Sequence, residues 1–348
     1  DKTAEYINAA NPYEIIFTRS TTESINLVAD SFCSAFINEG DEVIVSEMEH
    51  HSNIVPWQVM CERKNASFQT IPYDHDGNLQ TDMLDELLTE RTRLVAATYV
   101  SNVLGTVNPI NEIVQKAHDF DVPVLVDAAQ AVQHILVDVQ DLNCDFLAFS
   151  GHKMYAETGI GVLYGKEKWL EVMPPYQFGG GMISSVRFDK TTFADLPLKF
   201  EAGTPNIAAA VSMGAVIDYI NKVGIRNIKK HEHDLMEYAL DKIGSVEGTV
   251  IYGNAIERCG AVAFNLEGIH PYDACMLLDK MGLAVRSGKH CAEPVMLHYG
   301  IDGCLRASFA MYNTMEEIDE LIAGLQKVKE MLGCTRPKLN DNQKLQVI

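Results

Sequence analysis

The run VLVDAAQ, Val124 to Gln130, decides the fold. Its apolar residues are continuous up to Asp127, with no polar residue alternating between them. A strand of that kind is covered on both faces, as in a parallel sheet. Similar runs recur through the first half of the chain: EIIF, EVIVSE, SFQTIPY, LVAATYV, DFLAFSG and GVLYG. Amphipathic stretches separate most of them, among them TESINLVADSFCSAFI, IVPWQVMCERK, a helix near Met83–Leu88, and NEIVQKAHDF. The alternation predicts an α/β fold: a mostly parallel, seven-stranded sheet with helices on both faces. In such sheets a ligand sits outside the carboxyl ends of the strands, so the residues just after each strand are the ones that matter.

The pattern changes after Pro205. Two long helices, Asn206–Lys222 and Gly224–Ile243, lead into VIYG, GAVAFNL, a helix from Pro271 to Met281, LAVRSG, LRASFAMYN and a last helix, Thr314–Leu332. The expected organisation is a large domain over residues 1–205, a helical connection and smaller α+β domain over 206–333, and a polar tail over 334–348. A chain of 348 residues with 47% hydrophobic content can bury the core of about two domains. The formal net charge of −20 argues against nucleic acid and anionic membrane as partners, because both call for a basic surface. The eight cysteines are scattered, without a C-x-x-C pair, which reads as reduced thiols in the cytoplasm.

Several strand ends carry candidates: His50 and His51, Asn102, Asp127 with Gln130 and His134 beyond it, and Ser150, His152 and Lys153. Each has an ordinary reading. A lysine after a strand is usually solvated, an aspartate often caps a helix, and a histidine pair often lies on the surface. Their convergence on one sheet edge is what points to chemistry. Pyridoxal phosphate needs a lysine for a Schiff base and an aspartate to keep its pyridine nitrogen protonated. Its phosphate needs donors, best placed at a helix start, where RSTTES (Arg19–Ser24) offers Thr21 and Thr22. Ser20 with Glu23 also reads as a capping box. The spacings of His50, His51, His134 and His152 match no usual ligand pattern, so no metal is expected.

The motifs SEMEHHSNIVPW, VSNVLGT, VDAAQAVQH, FSGHKMYAETGIGVLY, FEAGTPN, RSGKHCAEP and RASFAMYNT, in that order, resemble the Suf-type (group II) cysteine desulfurases and selenocysteine lyases. These have the class V aminotransferase fold, a PLP-dependent fold type I. The resemblance implies Lys153 as the Schiff-base lysine, Asp127 at the pyridine nitrogen, Gln130 at the ring hydroxyl and His50 stacked on the ring. Thr21, Thr22, Ser150 and His152 would hold the phosphate, and Thr204 would reach the phosphate of a second subunit, which implies a homodimer. Arg306 would bind the substrate carboxylate with Asn102 beside it, Arg286 would also belong to the substrate site, and Cys291 would receive the sulfur. Where relatives usually carry two histidines before that cysteine, this chain has Lys289 and then His290. The resemblance also leads us to expect that a family N-terminal segment, packed on the small domain, is missing ahead of Asp1.

The reaction so implied takes L-cysteine to L-alanine and leaves a persulfide on Cys291, supplying sulfur for iron–sulfur clusters. Lys153 would move the Cα proton, His50 would exchange one with the substrate thiol, and Arg286, Lys289 and His290 would favour the Cys291 thiolate. The loop before LRASFAMYN is short, so a SufE- or SufU-like acceptor would bring its own cysteine to the persulfide. The rival readings are a selenocysteine lyase, another class V enzyme such as a kynureninase or aminotransferase, and a sulfur-carrier scaffold without catalysis.

Overall fold

The computed structural model describes residues 1–333; the polar tail expected over 334–348 lies outside them. The seven-stranded sheet comprises β1 (Ile15–Thr18), β2 (Glu42–Ser46), β3 (Ser67–Ile71), β4 (Thr92–Thr98), β5 (Val124–Asp127), β6 (Phe146–Ser150) and β7 (Gly161–Gly165). Their spatial order is β1-β7-β6-β5-β4-β2-β3. Strands β2 to β6 run parallel, while β7 is antiparallel to both β6 and β1.

Alternate residues of these strands feed two different cores. Ile44, Val95, Val124, Val126, Leu147 and Phe149 pack on one face. Val43, Val45, Leu94, Leu125, Phe146 and Ala148 pack on the other. Both faces are therefore dry, which is why the runs lack the polar alternation of a half-exposed sheet. The expected helix near Met83–Leu88 is present as a single α-helical turn, Leu84–Leu87, preceded by a 3-10 turn, Thr81–Met83. A hairpin of β8 (Ile183–Val186) and β9 (Thr191–Phe193) follows the large sheet and is mostly exposed. Its apolar content is too low to have marked it in the sequence.

A four-stranded antiparallel sheet, in the order β10-β11-β13-β12, forms the C-terminal part. Its strands are β10 (Thr249–Tyr252), β11 (Ala261–Leu266), β12 (Arg286–Gly288) and β13 (Cys304–Ser308). It packs with the helix Met315–Leu332 around Val262, Phe264, Leu305 and Leu325. The helix Ile207–Val223 buries Ala209, Met213, Ile217 and Ile220 in the first core of the large sheet. The next helix, Ile225–Ser245, starts in that core at Ile228 and ends in the third at Leu235, Met236 and Ile243. The passage from one core to another thus falls inside one helix.

The start of the helix Thr21–Phe36 lies directly over β7. Gly161, paired with Thr18 and with Ser150, would bring a Cβ within 2.5 Å of Ser20 backbone atoms. Only a hydrogen side chain lets the two chains approach so closely. We expect Gly161→Ala to destabilise the fold by about 1–3 kcal/mol, as overpacking does, and to weaken binding at the Thr21–Ser150 corner. Urea denaturation measures the first effect and cofactor retention the second; wild-type values for both would contradict this account of the contact.

Candidate active site

The carboxyl ends of β2, β4, β5 and β6 are neighbours, and each delivers one part of the site. Lys153 follows β6 on the 3-10 turn Gly151–Met154. Gly151 is required there, since a Cβ would strike Ile160 Cγ2 at 2.4 Å. Asp127 closes β5, is buried, and accepts from the Ala129 backbone N–H at 2.9 Å. Burial raises the Asp127 carboxyl above its ordinary range, opposed by the charge of Lys153 and the Ala129 N–H. Burial likewise lowers the Lys153 amine, with Arg306 adding to the effect and Asp127 opposing it. Amine and carboxylate are thus coupled partners at adjacent strand ends.

The helix start meets β6 through Thr21. Its backbone N–H donates to Ser150 Oγ at 2.7 Å, and the two hydroxyls lie 2.6 Å apart. The expected capping box forms by half. Ser20 Oγ accepts from Glu23 N, but Glu23 turns back to the Arg19 backbone and guanidinium. That ion pair takes the Glu23 charge away from a phosphate that the helix start would attract. Thr22 is exposed towards a cavity of about 540 Å³ that His50, His51 and Cys291 also line. His152 is exposed, and burial and Lys153 lower its imidazole.

His50 follows β2. Its Nδ1 accepts from the Ser52 backbone N–H at 3.1 Å, which places the ring proton on Nε2. Burial, then Lys153, His51 and Arg306, lower its pKa to about 4, so it is neutral at pH 7. Beside it stands Glu49, which sequence reasoning passed over. Glu49 is fully buried and accepts from Ser46 Oγ, from the Thr98 N–H at 2.5 Å and from Asn53 Nδ2 at 2.7 Å. Asn53 in turn accepts from the Trp57 indole at 2.9 Å. Burial pushes Glu49 up to about 8 against its hydrogen bonds, with Asp127 adding to the rise. Its only advance sign was a charged residue directly after a buried strand and before the histidine pair.

Arg306 lies on β13. Its Nη1 donates to the Asn102 carbonyl at 2.8 Å. Asn102, expected beside the substrate carboxylate, donates its side-chain amide to the His290 carbonyl at 2.8 Å. Gln130 accepts from Gln133 at 3.2 Å and lines a second cavity, about 210 Å³, with Asn102, Lys153 and Arg306. Among the residues lining it, Gln133 Oε1, Tyr155 Oη and Arg306 Nε are buried without a protein partner. Arg286 is exposed and stands opposite Arg306 across β12 and β13. Thr204 is exposed ahead of the helix Ile207–Val223 and lines neither cavity.

Cys291 is the exposed cysteine among the described residues, and it sits between β12 and β13. The expected ring of cations around it needs correction. His290 is buried, its Nε2 donates to the Cys304 carbonyl at 2.9 Å, and burial and Arg306 lower its pKa to about 4. It is a neutral imidazole. Lys289 pairs with Glu293 across a helical spacing, and both are half exposed. Cys291 acts electrostatically on Lys153 and Arg306, raising both against the effect of burial.

An amine coupled to a carboxylate, hydroxyls at a helix start, a neutral imidazole and an arginine with an unpartnered Nε–H make a donor set that fits pyridoxal phosphate with an amino-acid substrate. The comparisons agree. The chain belongs to the class-V aminotransferases, whose family pattern matches residues 1–321. Among its relatives within that class are cysteine desulfurases. It is 51% identical over 333 residues to the cysteine desulfurase of Cronobacter sakazakii, covering 95% of this chain and 82% of that one. It is 48% identical to the probable cysteine desulfurase of Halalkalibacterium halodurans, covering 96% and 82%. The crystal structure of the Escherichia coli cysteine desulfurase CsdA superposes with a TM-score of 0.91 at 39% identity, covering 95% and 82%. Among the described residues no group of three or more His, Cys, Asp or Glu side chains is placed to hold a metal, and no helix is long and apolar enough to cross a membrane.

Glu49 allows a test of the buried network. A carboxyl whose pKa is raised on folding stabilises the protein below its ordinary value of 4.5 and loses that contribution as pH rises towards about 8. We expect urea-unfolding stability of the wild type to fall over this window relative to Glu49→Gln and to level off above it. Parallel stability curves for the two proteins would rule out a protonated Glu49.

Proposed function

We propose that this protein is a pyridoxal-phosphate-dependent cysteine desulfurase that converts L-cysteine to L-alanine and collects the sulfur as a persulfide on Cys291. The observation that carries the assignment is an exposed thiol, Cys291, that lines one cavity with His50 and follows His290, whose carbonyl is bound by Asn102, the residue that also accepts from Arg306. Lys153 would hold the cofactor, Asp127 its ring nitrogen, Gln130 its ring hydroxyl and His50 its face. Thr21, Thr22, Ser150 and His152 would hold its phosphate. When bound, the cofactor supplies the electron sink that acidifies the substrate Cα and activates the Cβ–S bond.

The chain's own groups do the rest. Arg306 anchors the substrate carboxylate; Asn102 fixes one arm of its guanidinium, and the unpartnered Nε–H remains for the ligand. Lys153, its amine lowered by burial, is suited to take a proton from Cα and return one. His50, neutral and with its proton on Nε2, is suited to hold a proton near the substrate sulfur. The Cys291 thiolate attacks that sulfur. A new S–S bond forms as the Cβ–S bond breaks, and its electron pair leaves with the carbon fragment, which is protonated and released as alanine.

The loop of Cys291 is confined between β12 and β13, which supports a persulfide that stays at the site until an acceptor protein presents its own thiol. A SufE- or SufU-like acceptor, and iron–sulfur cluster assembly as the destination, belong to this reading. So do the Suf-type subgroup and a homodimer in which Thr204 serves the second subunit. A selenocysteine lyase would share every group except the requirement for Cys291.

We expect Arg306→Lys to keep the visible cofactor band while kcat/KM for cysteine falls by about 100-fold, since lysine cannot replace a bidentate partner. Near-normal kcat/KM in that variant would remove Arg306 from the substrate site. Cys291→Ala should keep the band and release no alanine from cysteine, whereas a selenocysteine lyase would keep its selenocysteine turnover. Alanine release at the wild-type rate, or a wild-type persulfide mapped to another cysteine, would move the nucleophile elsewhere.

A further inference from the structure

We propose that His51, the second histidine of the pair, is a positioning residue for sulfur transfer that latches the Cys291 loop to the edge of the large sheet. The inference rests on Cys291 being the sulfur-accepting residue. His51 holds the loop at two points. Its backbone N–H donates to the Cys291 carbonyl at 2.7 Å, and its ring Nε2 accepts from the Glu293 N–H at 3.0 Å. A backbone N–H can only donate, so Nε2 carries the lone pair and the neutral ring keeps its proton on Nδ1.

The loop needs such a hold. His290 and Cys291 both adopt left-handed backbone angles, with φ of 53° and 55°, which side chains other than glycine disfavour. Asn102 and the Cys304 carbonyl anchor the loop on the His290 side. His51 anchors it on the far side, across Ala292, at the first residue of the helix Glu293–His298. Lys289 pairs with Glu293 within the loop and so braces the residue whose N–H His51 receives. His51 directly follows His50, and both line the 540 Å³ cavity with Cys291. The latch therefore ties the thiol to the strand end that carries the neutral imidazole. A thiolate attacking a substrate sulfur needs a fixed approach, because small misplacements of a reacting atom are costly in rate.

The test uses the cofactor-loaded protein and two variants. His51→Phe keeps the bulk of a ring and removes the acceptor; His51→Gln restores an acceptor oxygen near the place of Nε2. In His51→Phe we expect an unchanged cofactor band and hydrogen exchange at the Glu293 amide roughly fivefold faster, the worth of one hydrogen bond. Exchange in β5 should stay as in the wild type. Single-turnover persulfide formation on Cys291 should slow by about tenfold with KM for cysteine unchanged, as expected for lost positioning of the reacting atom. His51→Gln should recover both exchange and rate. Unchanged exchange at Glu293 in His51→Phe, or a normal rate of persulfide formation despite faster exchange, would overturn the proposal. A persulfide mapped to another cysteine would overturn the assignment of Cys291, while the exchange data would still decide whether the latch exists.

Discussion

The coupling between Asp127 and Lys153 is the constraint on which the rest of the site depends. Asp127 is buried and Lys153 half-buried at adjacent strand ends, and each moves the other against the effect of burial. Two charged groups can occupy a dry sheet edge only as partners of each other or of a ligand. The parallel arrangement of β5 and β6 brings them side by side because parallel strands end on the same edge. Everything else is arranged around that pair: the hydroxyls of Thr21 and Ser150, the neutral His50 and the guanidinium of Arg306.

Around it lies a buried network that keeps charge low where the substrate must react. Glu49 receives the Thr98 N–H at the end of β4, and Thr98 is the register partner of Asp127. The strand end bearing His50 is thereby tied to the strand end bearing Asp127. His50 and His290 are both held neutral by burial, while Lys153 and Arg306 keep their charges and interact electrostatically with Cys291.

Much of this was legible in the sequence. Continuous apolar strands announced a sheet buried on both faces, and several of the residues after them gather at its carboxyl edge. The roles that did not read correctly depend on long-range packing. Arg286, Lys289 and His290 look alike as a basic cluster, yet one faces Arg306 across a sheet, one pairs with Glu293, and one is buried against the Cys304 carbonyl. Asn102 ends up beside Arg306 as the resemblance implied, but nothing local showed that its amide would go to the His290 carbonyl, 188 residues further along the chain. The reversed direction of β7 also escaped, since an apolar run gives no sign of which way it points.

The sequence by itself determined the class of fold, the lysine and aspartate at the ligand edge and the cysteine loop near the arginine, because strand periodicity and residue chemistry are local properties. The tertiary structure decided which of those groups carry charge. It made His290 neutral, gave Glu49 a raised pKa and turned Asn102 and His51 into anchors of the loop that bears Cys291. Burial and hydrogen-bond partners are set by segments that meet only when the two sheets pack together, so no stretch of the sequence read alone contains them.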